Sequence, residues 1–305
     1  MSRLLRFAVH LLFTLWAVGS LVFLALHLIP GDLVSVMLGE GATAADRAAL
    51  RAQLGLDLPL WQQYVNYFSG LLHGDLGQSL LLKRPVAELI LERFPYTLEL
   101  ALLALALAVL ISLPLGVAAA VHAGRWIDQL AMGVSLLGVA VPNFWLGPML
   151  ILLFSLWLGW LPVSGADQPW AWVLPAVTLG TALAAILTRM VRASLLEVLH
   201  EDFLRTAAAK GLGRQRQLWR HALPNALLPV VTVLGLQLGT LLGGAVITEV
   251  VFDWPGLGQL LIESIQRRDY PVVQGVMLVV TAAYVIVNGL TDLLYGWLDP
   301  RVRLT

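Results

Sequence analysis

Long runs of residues without a charged side chain constrain the fold of this chain more than any other feature. Residues 7–29 hold no Asp, Glu, Lys or Arg, and neither do residues 129–166. A helix needs about 20 apolar residues to cross the roughly 30 Å hydrocarbon core of a membrane. Charged residues make up 12% of the 305 residues, about half the share usual in soluble domains. The sequence therefore predicts an integral membrane protein.

The same runs predict an all-α fold. Strands of membrane barrels alternate polar and apolar residues over about 10 positions, and these runs do not alternate. Helices are the other structure that satisfies its backbone polar groups in lipid. The run 129–166 is too short for two spans, so one helix kinked at Pro142 and Pro148 is predicted there. Six spans are predicted, at about 7–29, 95–121, 130–158, 170–188, 223–248 and 272–294.

The first run is interpreted as a span that is not cleaved. Arg3 and Arg6 precede it, as they would precede a secretory signal peptide. A signal peptide, however, has an apolar core of only about 7–15 residues and ends at a small-residue cleavage site. This run is longer and ends at Leu28-Ile29-Pro30, so an uncleaved first span is predicted.

Residues 30–95 have a different character, because charges, Gly and Pro return and amphipathic patterns appear. Helices are predicted at about 43–54, after Pro59 and after Pro85. We interpret 30–95 as a folded, helical extracytoplasmic segment between spans one and two.

The positions of Lys and Arg predict the orientation of the chain, since positively charged loops tend to stay in the cytoplasm. With a cytoplasmic N-terminus, 12 of the 19 Lys and Arg residues lie on the cytoplasmic side, seven of them in residues 189–221. Both termini and this loop are therefore predicted to be cytoplasmic. The protein is predicted to be a multi-pass protein of the cytoplasmic (inner) membrane.

The sequence contains no recognisable catalytic or metal-binding motif. It lacks the Gly-x-x-x-x-Gly-Lys-Ser/Thr phosphate loop, the His-Glu-x-x-His zinc helix and the Gly-x-Ser-x-Gly nucleophile turn. Cysteine is absent, the six histidines are scattered, and a net charge of zero gives no electrostatic case for nucleic acid. We expect a non-catalytic subunit without a metal, a cofactor of its own or a nucleic-acid partner.

Three acidic residues near the predicted spans are candidates for a proton path, because acids inside membranes are usually functional. These are Glu99, Glu249 and Asp292. A proton-coupled carrier would need such groups to face a central path. Glu99 and Glu249 lie near the outer ends of their spans and Asp292 near the inner end of the last. The preferred interpretation is therefore interfacial residues with access to water or to a partner.

Three glycines lie four residues apart on the predicted fifth span: Gly235, Gly239 and Gly243. This spacing places them on one helix face, where the absence of side chains lets a second backbone approach closely. A tight helix contact is predicted, either within the bundle or with a partner near the transport path.

The basic loop between spans four and five contains an amphipathic, helix-prone stretch at 197–229. An apolar stripe is predicted along it, formed by Leu204, Ala207, Ala208 and Leu212. Such a helix could lie on anionic lipid or dock into a groove of a soluble partner.

This loop resembles that of the inner-membrane permease subunits of ABC importers. Their signature is Glu-Ala-Ala, three residues, Gly, nine residues, and an apolar-x-Leu-Pro ending. Here Gly211 lies thirteen residues before Pro224, Leu223 precedes that proline, and Ala207 holds the third position.

Three positions depart from the signature: Arg205 replaces the Glu, Thr206 the first Ala, and His221 the apolar residue of the ending. The Arg-Thr-Ala form resembles the dipeptide/oligopeptide/glutathione/nickel permease family, so the departures point to one branch of these permeases. Further matching stretches cover nearly the whole chain, at 28–32, 54–60, 74–77, 141–147, 159–162, 252–258, 268–271 and 298–301.

The resemblance implies a type I ABC importer permease fold, with residues 1–305 as one permease domain. It implies as partners a second homologous permease subunit, two cytoplasmic ATPase subunits that carry ATP and Mg, an extracytoplasmic substrate-binding protein, and membrane lipid. A coupling helix within the cytoplasmic loop 189–224 would transmit ATPase closure to spans four and five. Its expected residues are Arg205, Thr206, Ala207, Lys210 and Gly211, with Leu223 and Pro224 beginning span five.

Further details follow from the same resemblance. Gly211 would end the coupling helix in a left-handed conformation. Lys210 and Arg214 would pair with acids of the ATPase. The implied function is translocation of dipeptides, oligopeptides or glutathione, and a nickel or nickel-chelate importer is the alternative within the family. A proton-coupled secondary carrier is the alternative from another class. Substrate-binding residues cannot be chosen from the sequence.

Overall fold

A computed structural model describes residues 3–28, 34, 43–53 and 55–298 of the chain. Nearly all of its regular structure is helical, and the described residues contain no β-strand, only an isolated bridge between Gln78 and Pro85. The predicted all-α fold is confirmed. Five helices are long and apolar enough to cross a membrane, and a bent helix pair brings the number to six.

The described chain divides into two compact units, Met1–Pro95 with Gln259–Ala282, and Tyr96–Gly258 with Ala283–Thr305. That residues 1–305 act as one permease domain stays a prediction. The first unit holds α1 (Arg3–Leu28), α2 (Ala44–Gln53), α3 (Leu60–Leu72), the start of α4 (Val86–Val121), most of α12 (Leu257–Gln266) and the start of α13 (Tyr270–Leu298).

A buried carboxylate organises part of the first unit. Asp269 precedes α13, and its carboxylate accepts hydrogen bonds from the Ser79 hydroxyl at 2.5 Å and the Leu80 amide at 3.0 Å. Gly275, on α13, lies against Val86 and Ile90 at the start of α4. The stretch between the predicted fifth and sixth spans therefore contains a helix, α12, and its Asp269 side chain binds residues 79 and 80.

The second unit holds the rest of α4 and the remaining helices. These are α5 (Trp126–Ala140), α6 (Asn143–Leu150), a π-helical segment Ile151–Trp157, α7 (Val173–Val198), α8 (Asp202–Ala209), α9 (Arg214–Gln217), a second π-helical segment Leu218–Ala222, α10 (Leu223–Gly244), α11 (Val246–Val251) and the end of α13.

The core of the second unit is formed by α4, α7 and α10. Small residues bring the helices close: an added Cβ at Gly180 of α7 would lie 2.8 Å from the carbonyl oxygen of Ala104 on α4. Leu183, Leu187 and Val191 of α7 are buried in this core. Small-residue contacts are what bring membrane helices together, because burial of apolar side chains gains little in lipid.

Three predicted boundaries are corrected by the structure. The helix predicted after Pro85 and the span predicted at 95–121 are one continuous helix, α4. The helix predicted at 130–158 is broken, with a bend of 102° between α5 and α6. Val141 is extended at the break (φ −86°, ψ 116°) because a following proline disfavours helical geometry.

The third correction concerns span five, which was predicted to begin at Leu223-Pro224. Helical structure begins at Arg214 and continues through the π-helical segment Leu218–Ala222 into α10. A proline removes one helical hydrogen bond and clashes with the preceding turn. The wider π-turn lies directly before Pro224 and accommodates that proline without ending the helix.

Candidate functional site

The candidate coupling site is α8, a helix of eight residues between α7 and α10. Asp202 lies in its first turn, where a carboxylate interacts favourably with the helix dipole. The Arg205 guanidinium pairs with the Asp202 carboxylate at 3.1 Å, and both side chains are exposed. Thr206 is also exposed, and its hydroxyl donates to the Asp202 carbonyl at 3.1 Å.

The predicted apolar stripe does not form the outer surface of α8. Leu204 is 5% exposed and belongs to the core of the second unit, and Ala207 and Leu212 are half-buried. Of the four stripe residues, Ala208 alone is exposed. The stripe therefore attaches α8 to its own chain, which leaves the opposite face free for a partner.

The outward face of α8 is formed by other residues, of which the sequence had indicated only some. Asp202, Phe203, Thr206, Ala209 and Lys210 are all exposed. Phe203 was missed; its side chain is 42% exposed. Its sequence position was the available signal for this exposure. Phe203 directly precedes the buried Leu204, and neighbouring residues of a helix point in different directions.

Gly211 ends α8 in the way predicted for it. Its φ is +80°, and its amide donates to the Ala208 carbonyl at 2.9 Å. The Leu212 amide donates to the Ala207 carbonyl at 3.2 Å, which completes a Schellman motif. The left-handed conformation costs a side-chain-bearing residue energy that glycine does not pay. The glycine therefore fixes where the helix stops.

Two cations flank this helix end. Lys210 and Arg214 are exposed, and neither has an ionic partner within the described part of the chain. Pairing of these two cations with acids of an ATPase stays a prediction.

The helices on either side of α8 form a braced hairpin. The Ser194 hydroxyl of α7 donates to the Ala226 carbonyl of α10 at 2.8 Å. Near the same end of α7, the Arg192 guanidinium makes two bonds, of 2.5 and 2.7 Å, to the carboxylate of Asp128 on α5. Asp128 is 4% exposed and also accepts from the Gly124 amide at 2.8 Å. The Ser194–Ala226 hydrogen bond therefore joins the two helices that flank α8.

The glycines of α10 have different surroundings. An added Cβ at Gly235 would overlap with Thr291 of α13, and one at Gly239 would lie 2.9 Å from the Asn288 side-chain oxygen. A Cβ at Gly243 would have nothing within 4 Å. The structure thus places Gly235 and Gly239 in a helix contact and leaves Gly243 on an open face.

That open face of α10 carries polar groups in a helix that is otherwise apolar. Thr240 is exposed, and its hydroxyl lies 3.2 Å from the side-chain oxygen of the half-buried Gln237. Gly243 extends the same side by one more turn. Polar groups on the outside of a membrane helix usually face water or another subunit rather than lipid.

Glu249 contradicts the preferred interpretation of an interfacial residue. Its side chain is 0% exposed. The Glu249 carboxylate accepts from the Thr97 hydroxyl of α4 at 2.7 Å and from the Gly258 amide at 2.6 Å. The segment 254–258 folds back over the carboxylate, and an added Cβ at Gly256 would overlap with it. The position of Glu249 near the end of a predicted span therefore did not indicate that its side chain is buried.

The residues around Glu249 form a network that joins α4 to the segment after α11. The Thr97 hydroxyl also accepts from the Leu257 amide at 2.8 Å, and the Trp254 indole donates to the Tyr96 carbonyl at 2.9 Å. We refer to Tyr96, Thr97, Glu249, Trp254, Leu257 and Gly258 as the Glu249 network. The hydrogen bonds named above join residues of the second unit.

The other two acidic candidates differ. The Glu99 side chain is exposed, and that of Asp292 lies outside the described residues. No group of three or more His, Cys, Asp or Glu side chains suited to a metal ion occurs within the described ranges.

Comparison with protein families identifies this arrangement. Residues 112–304 match the model of the binding-protein-dependent transport system inner membrane component, and residues 1–101 match the model of the N-terminal part of such membrane components. The chain belongs to this permease family. The first match includes α8, Gly211, Pro224 and four members of the Glu249 network, while Tyr96 and Thr97 of that network lie in the second match.

Curated relatives of the permease extend over nearly its full length. The dipeptide transport system permease protein DppB of Escherichia coli strain K12 is 46% identical over 322 residues, with 95% of both chains covered. The glutathione transport system permease protein GsiC of the same strain is 44% identical over 290 residues, with the same coverage. The predicted resemblance to the dipeptide and glutathione permeases is confirmed.

Solved structures share the fold of the permease. A chain of the inward-facing MetNI methionine ABC transporter superposes with a TM-score of 0.58 at 20% identity, over 70% of this chain and 97% of that one. A chain of an amino acid ABC transporter solved with histidines gives 0.53 at 18% identity, over 70% and 94%. The predicted type I importer fold is confirmed. Roles in ATPase coupling for Arg205, Thr206, Ala207, Lys210, Gly211, Leu223 and Pro224 stay predictions.

Proposed function

We propose that this permease is one of two pore-forming subunits of an ATP-driven importer of peptides, with dipeptides, oligopeptides or glutathione as substrates. The observation that carries the proposal is the 46% identity to a dipeptide permease over 95% of both chains. The glutathione permease at 44% identity supports the same substrate class. Both names describe small peptides, so a peptide backbone is the shared chemistry.

The partners follow from the family and from what the sequence lacks. The family is described as binding-protein-dependent, which supports delivery of substrate by an extracytoplasmic binding protein. The sequence has no phosphate-binding loop, so ATP and Mg would be bound by two separate ATPase subunits. A second, homologous permease would complete the pore. The chain itself would catalyse no reaction.

The coupling step would act through α8. Its outward face offers the Phe203 ring, the small side chains of Thr206 and Ala209, and the Lys210 cation. A short amphipathic helix of this kind can insert into a groove on a partner. Because Ser194 and Ala226 join the two neighbouring helices, ATPase closure would move α7 and α10 together.

The open side of α10 supports a position beside the solute path. Gln237 and Thr240 offer neutral donors and acceptors, and Gly243 leaves space beside them. Neutral hydrogen-bonding groups suit a peptide backbone better than a fixed charge, which would hold one solute too tightly to release it.

The Glu249 network argues against a proton-coupled carrier that uses this residue. The carboxylate is fully buried and already accepts hydrogen bonds from Thr97 and Gly258. A proton carrier needs a carboxylate that water can reach, first from one side of the membrane and then from the other. We assign Glu249 a structural role instead.

Reconstitution tests the function. The permease is placed in proteoliposomes alone and then with its companion permease, ATPases and binding protein, and uptake of radiolabelled dipeptide, glutathione and nickel chelate is measured. Uptake is expected from the complete assembly with ATP inside, and not from the single chain under an imposed proton gradient. Gradient-driven uptake by the single chain would contradict the proposal, and uptake of nickel chelate in place of peptide would contradict the substrate class.

A further inference from the structure

The helix α3 lies within the segment predicted to be extracytoplasmic, yet its sequence is poorly suited to water. Its thirteen residues, LWQQYVNYFSGLL, contain no charged side chain. None of them is buried, and four large apolar residues are exposed: Leu60, Trp61, Val65 and Leu72. Trp61 is 67% exposed and Leu72 is 85% exposed.

Three ridges run along α3, each with a different chemistry. Tyr64, Tyr67 and Phe68 form an aromatic ridge that packs on α1. Trp61, Val65 and Leu72 form an exposed apolar ridge beside it. The third ridge, opposite the aromatic one, is polar and consists of Gln62, Asn66, Ser69 and His73.

The contacts of the aromatic ridge place α3 within the depth of a membrane span. The Tyr64 hydroxyl and the Ser20 hydroxyl are 2.7 Å apart, and the Tyr64 and Tyr67 rings lie 5.4 and 5.7 Å from the Phe23 ring. The apolar part of α1 runs from Phe7 to Ala25. At 1.5 Å per residue, Ser20 lies roughly 8 Å inside the end of that apolar part.

The exposed surface of α1 continues at the same level. Leu21 and Leu24 are neighbours of Ser20 and Phe23 in sequence, and their side chains are 66% and 53% exposed. In a span, leucines that the chain leaves exposed suit contact with lipid. The apolar ridge of α3 is therefore at the depth of an exposed apolar surface of α1.

We propose that α3 lies in the lipid of the leaflet that contains the C-terminal end of α1, with Trp61, Val65 and Leu72 in contact with acyl chains and the polar ridge toward water. An uncharged amphipathic helix with a tryptophan at one end suits the boundary between headgroups and acyl chains. Exposure of these three apolar side chains to water would be unfavourable. Acyl chains can cover them, so no protein partner is needed. The inference needs only that α1 spans the membrane, and it does not depend on the substrate or on the ATPase.

Two neighbouring positions allow a matched test, because the chain has no native cysteine. Val65→Cys and Asn66→Cys are spin-labelled separately in the complete transporter in phosphatidylglycerol/phosphatidylethanolamine nanodiscs. Collision rates with oxygen, which concentrates in lipid, and with a water-soluble nickel chelate are then measured. The oxygen-to-nickel ratio is expected to be several-fold higher at position 65 than at position 66.

Two outcomes would overturn the inference. Free access of the nickel chelate to both labels would place α3 in water. A label at position 65 that neither reagent reaches in the transporter, but that oxygen reaches in the isolated permease, would mean that a partner subunit covers the ridge.

A charge test is independent of labelling: Val65→Lys is expected to reduce the amount of inserted protein several-fold, whereas Asn66→Lys leaves it unchanged. Equal amounts of both variants would contradict lipid contact.

Discussion

At the scale of single residues, Glu249 is a carboxylate held inside the protein by long-range hydrogen bonds. Its side chain is fully buried, and residues 254–258 fold over it. The fold-back depends on long-range contacts with Tyr96 and Thr97, more than 150 positions earlier. Such pairings leave no local pattern, so sequence reasoning could identify the acid as unusual but not the donors that satisfy it.

The Glu249 network leads to a prediction about Thr97. Thr97→Val keeps the shape of the side chain but removes the donor to Glu249 and the acceptor for the Leu257 amide. Two buried hydrogen bonds, one to a carboxylate, should together contribute about 3 kcal/mol to stability. We expect a lower melting temperature of the detergent-solubilised permease, measured by loss of the monodisperse chromatographic peak on heating.

Thr240→Val is the matched control for that experiment. Thr240 is exposed, and among the described residues its hydroxyl bonds within its own helix, so the change in stability should stay within about 0.5 kcal/mol. Equal melting temperatures for the two variants would mean that the network does not stabilise the fold.

At the scale of elements, local signals predicted some features and missed others. The spans, the helix after Pro59 and the end of α8 at Gly211 follow from apolar runs, proline and glycine, which act within a few residues. A kink was predicted at Pro142, but the helix breaks there, with Val141 extended. The π-turn before Pro224 was not predicted. A proline can kink, widen or end a helix, and which of these occurs depends on what packs beside it.

The glycines of α10 show the same limit and supply a second prediction. The four-residue spacing predicted that Gly235, Gly239 and Gly243 share one helix contact, yet of these three only Gly235 and Gly239 face α13. Gly235→Val would force a side chain into Thr291, so we expect much less folded protein in the membrane. Gly243→Val enters open space, so normal amounts are expected, with reduced uptake because the new side chain narrows the face beside the path.

The amount of membrane-inserted protein and the initial rate of uptake, measured together, separate these two variants. Normal uptake by Gly243→Val would remove that face from the solute path. Normal folding of Gly235→Val would show that the close contact with α13 is not required.

At the scale of the whole molecule, the account depends on which side of the membrane each segment occupies. Charge alone predicted a cytoplasmic α8 and an outer α3. His73→Cys and Ala209→Cys, both at exposed positions in the cysteine-free chain, test this in right-side-out vesicles. A membrane-impermeant maleimide should label position 73 at once and position 209 only after permeabilisation. Labelling in the reverse order would invert the topology.

The central claim is that α8 transmits ATP hydrolysis on partner subunits to solute movement, and one pair of variants tests it most directly. Gly211→Pro is incompatible with the φ of +80° that ends α8, since proline requires about −65°. Gly213→Pro lies two residues away at a φ of −67°, which proline adopts freely, and serves as the control.

The measurement is ATP hydrolysis and peptide uptake by the reconstituted transporter, recorded in the same vesicles. For Gly211→Pro we predict that the subunits still assemble but that uptake per ATP hydrolysed falls at least tenfold, while Gly213→Pro resembles the unmodified protein. An unchanged ratio of uptake to hydrolysis in Gly211→Pro would contradict the coupling role of α8.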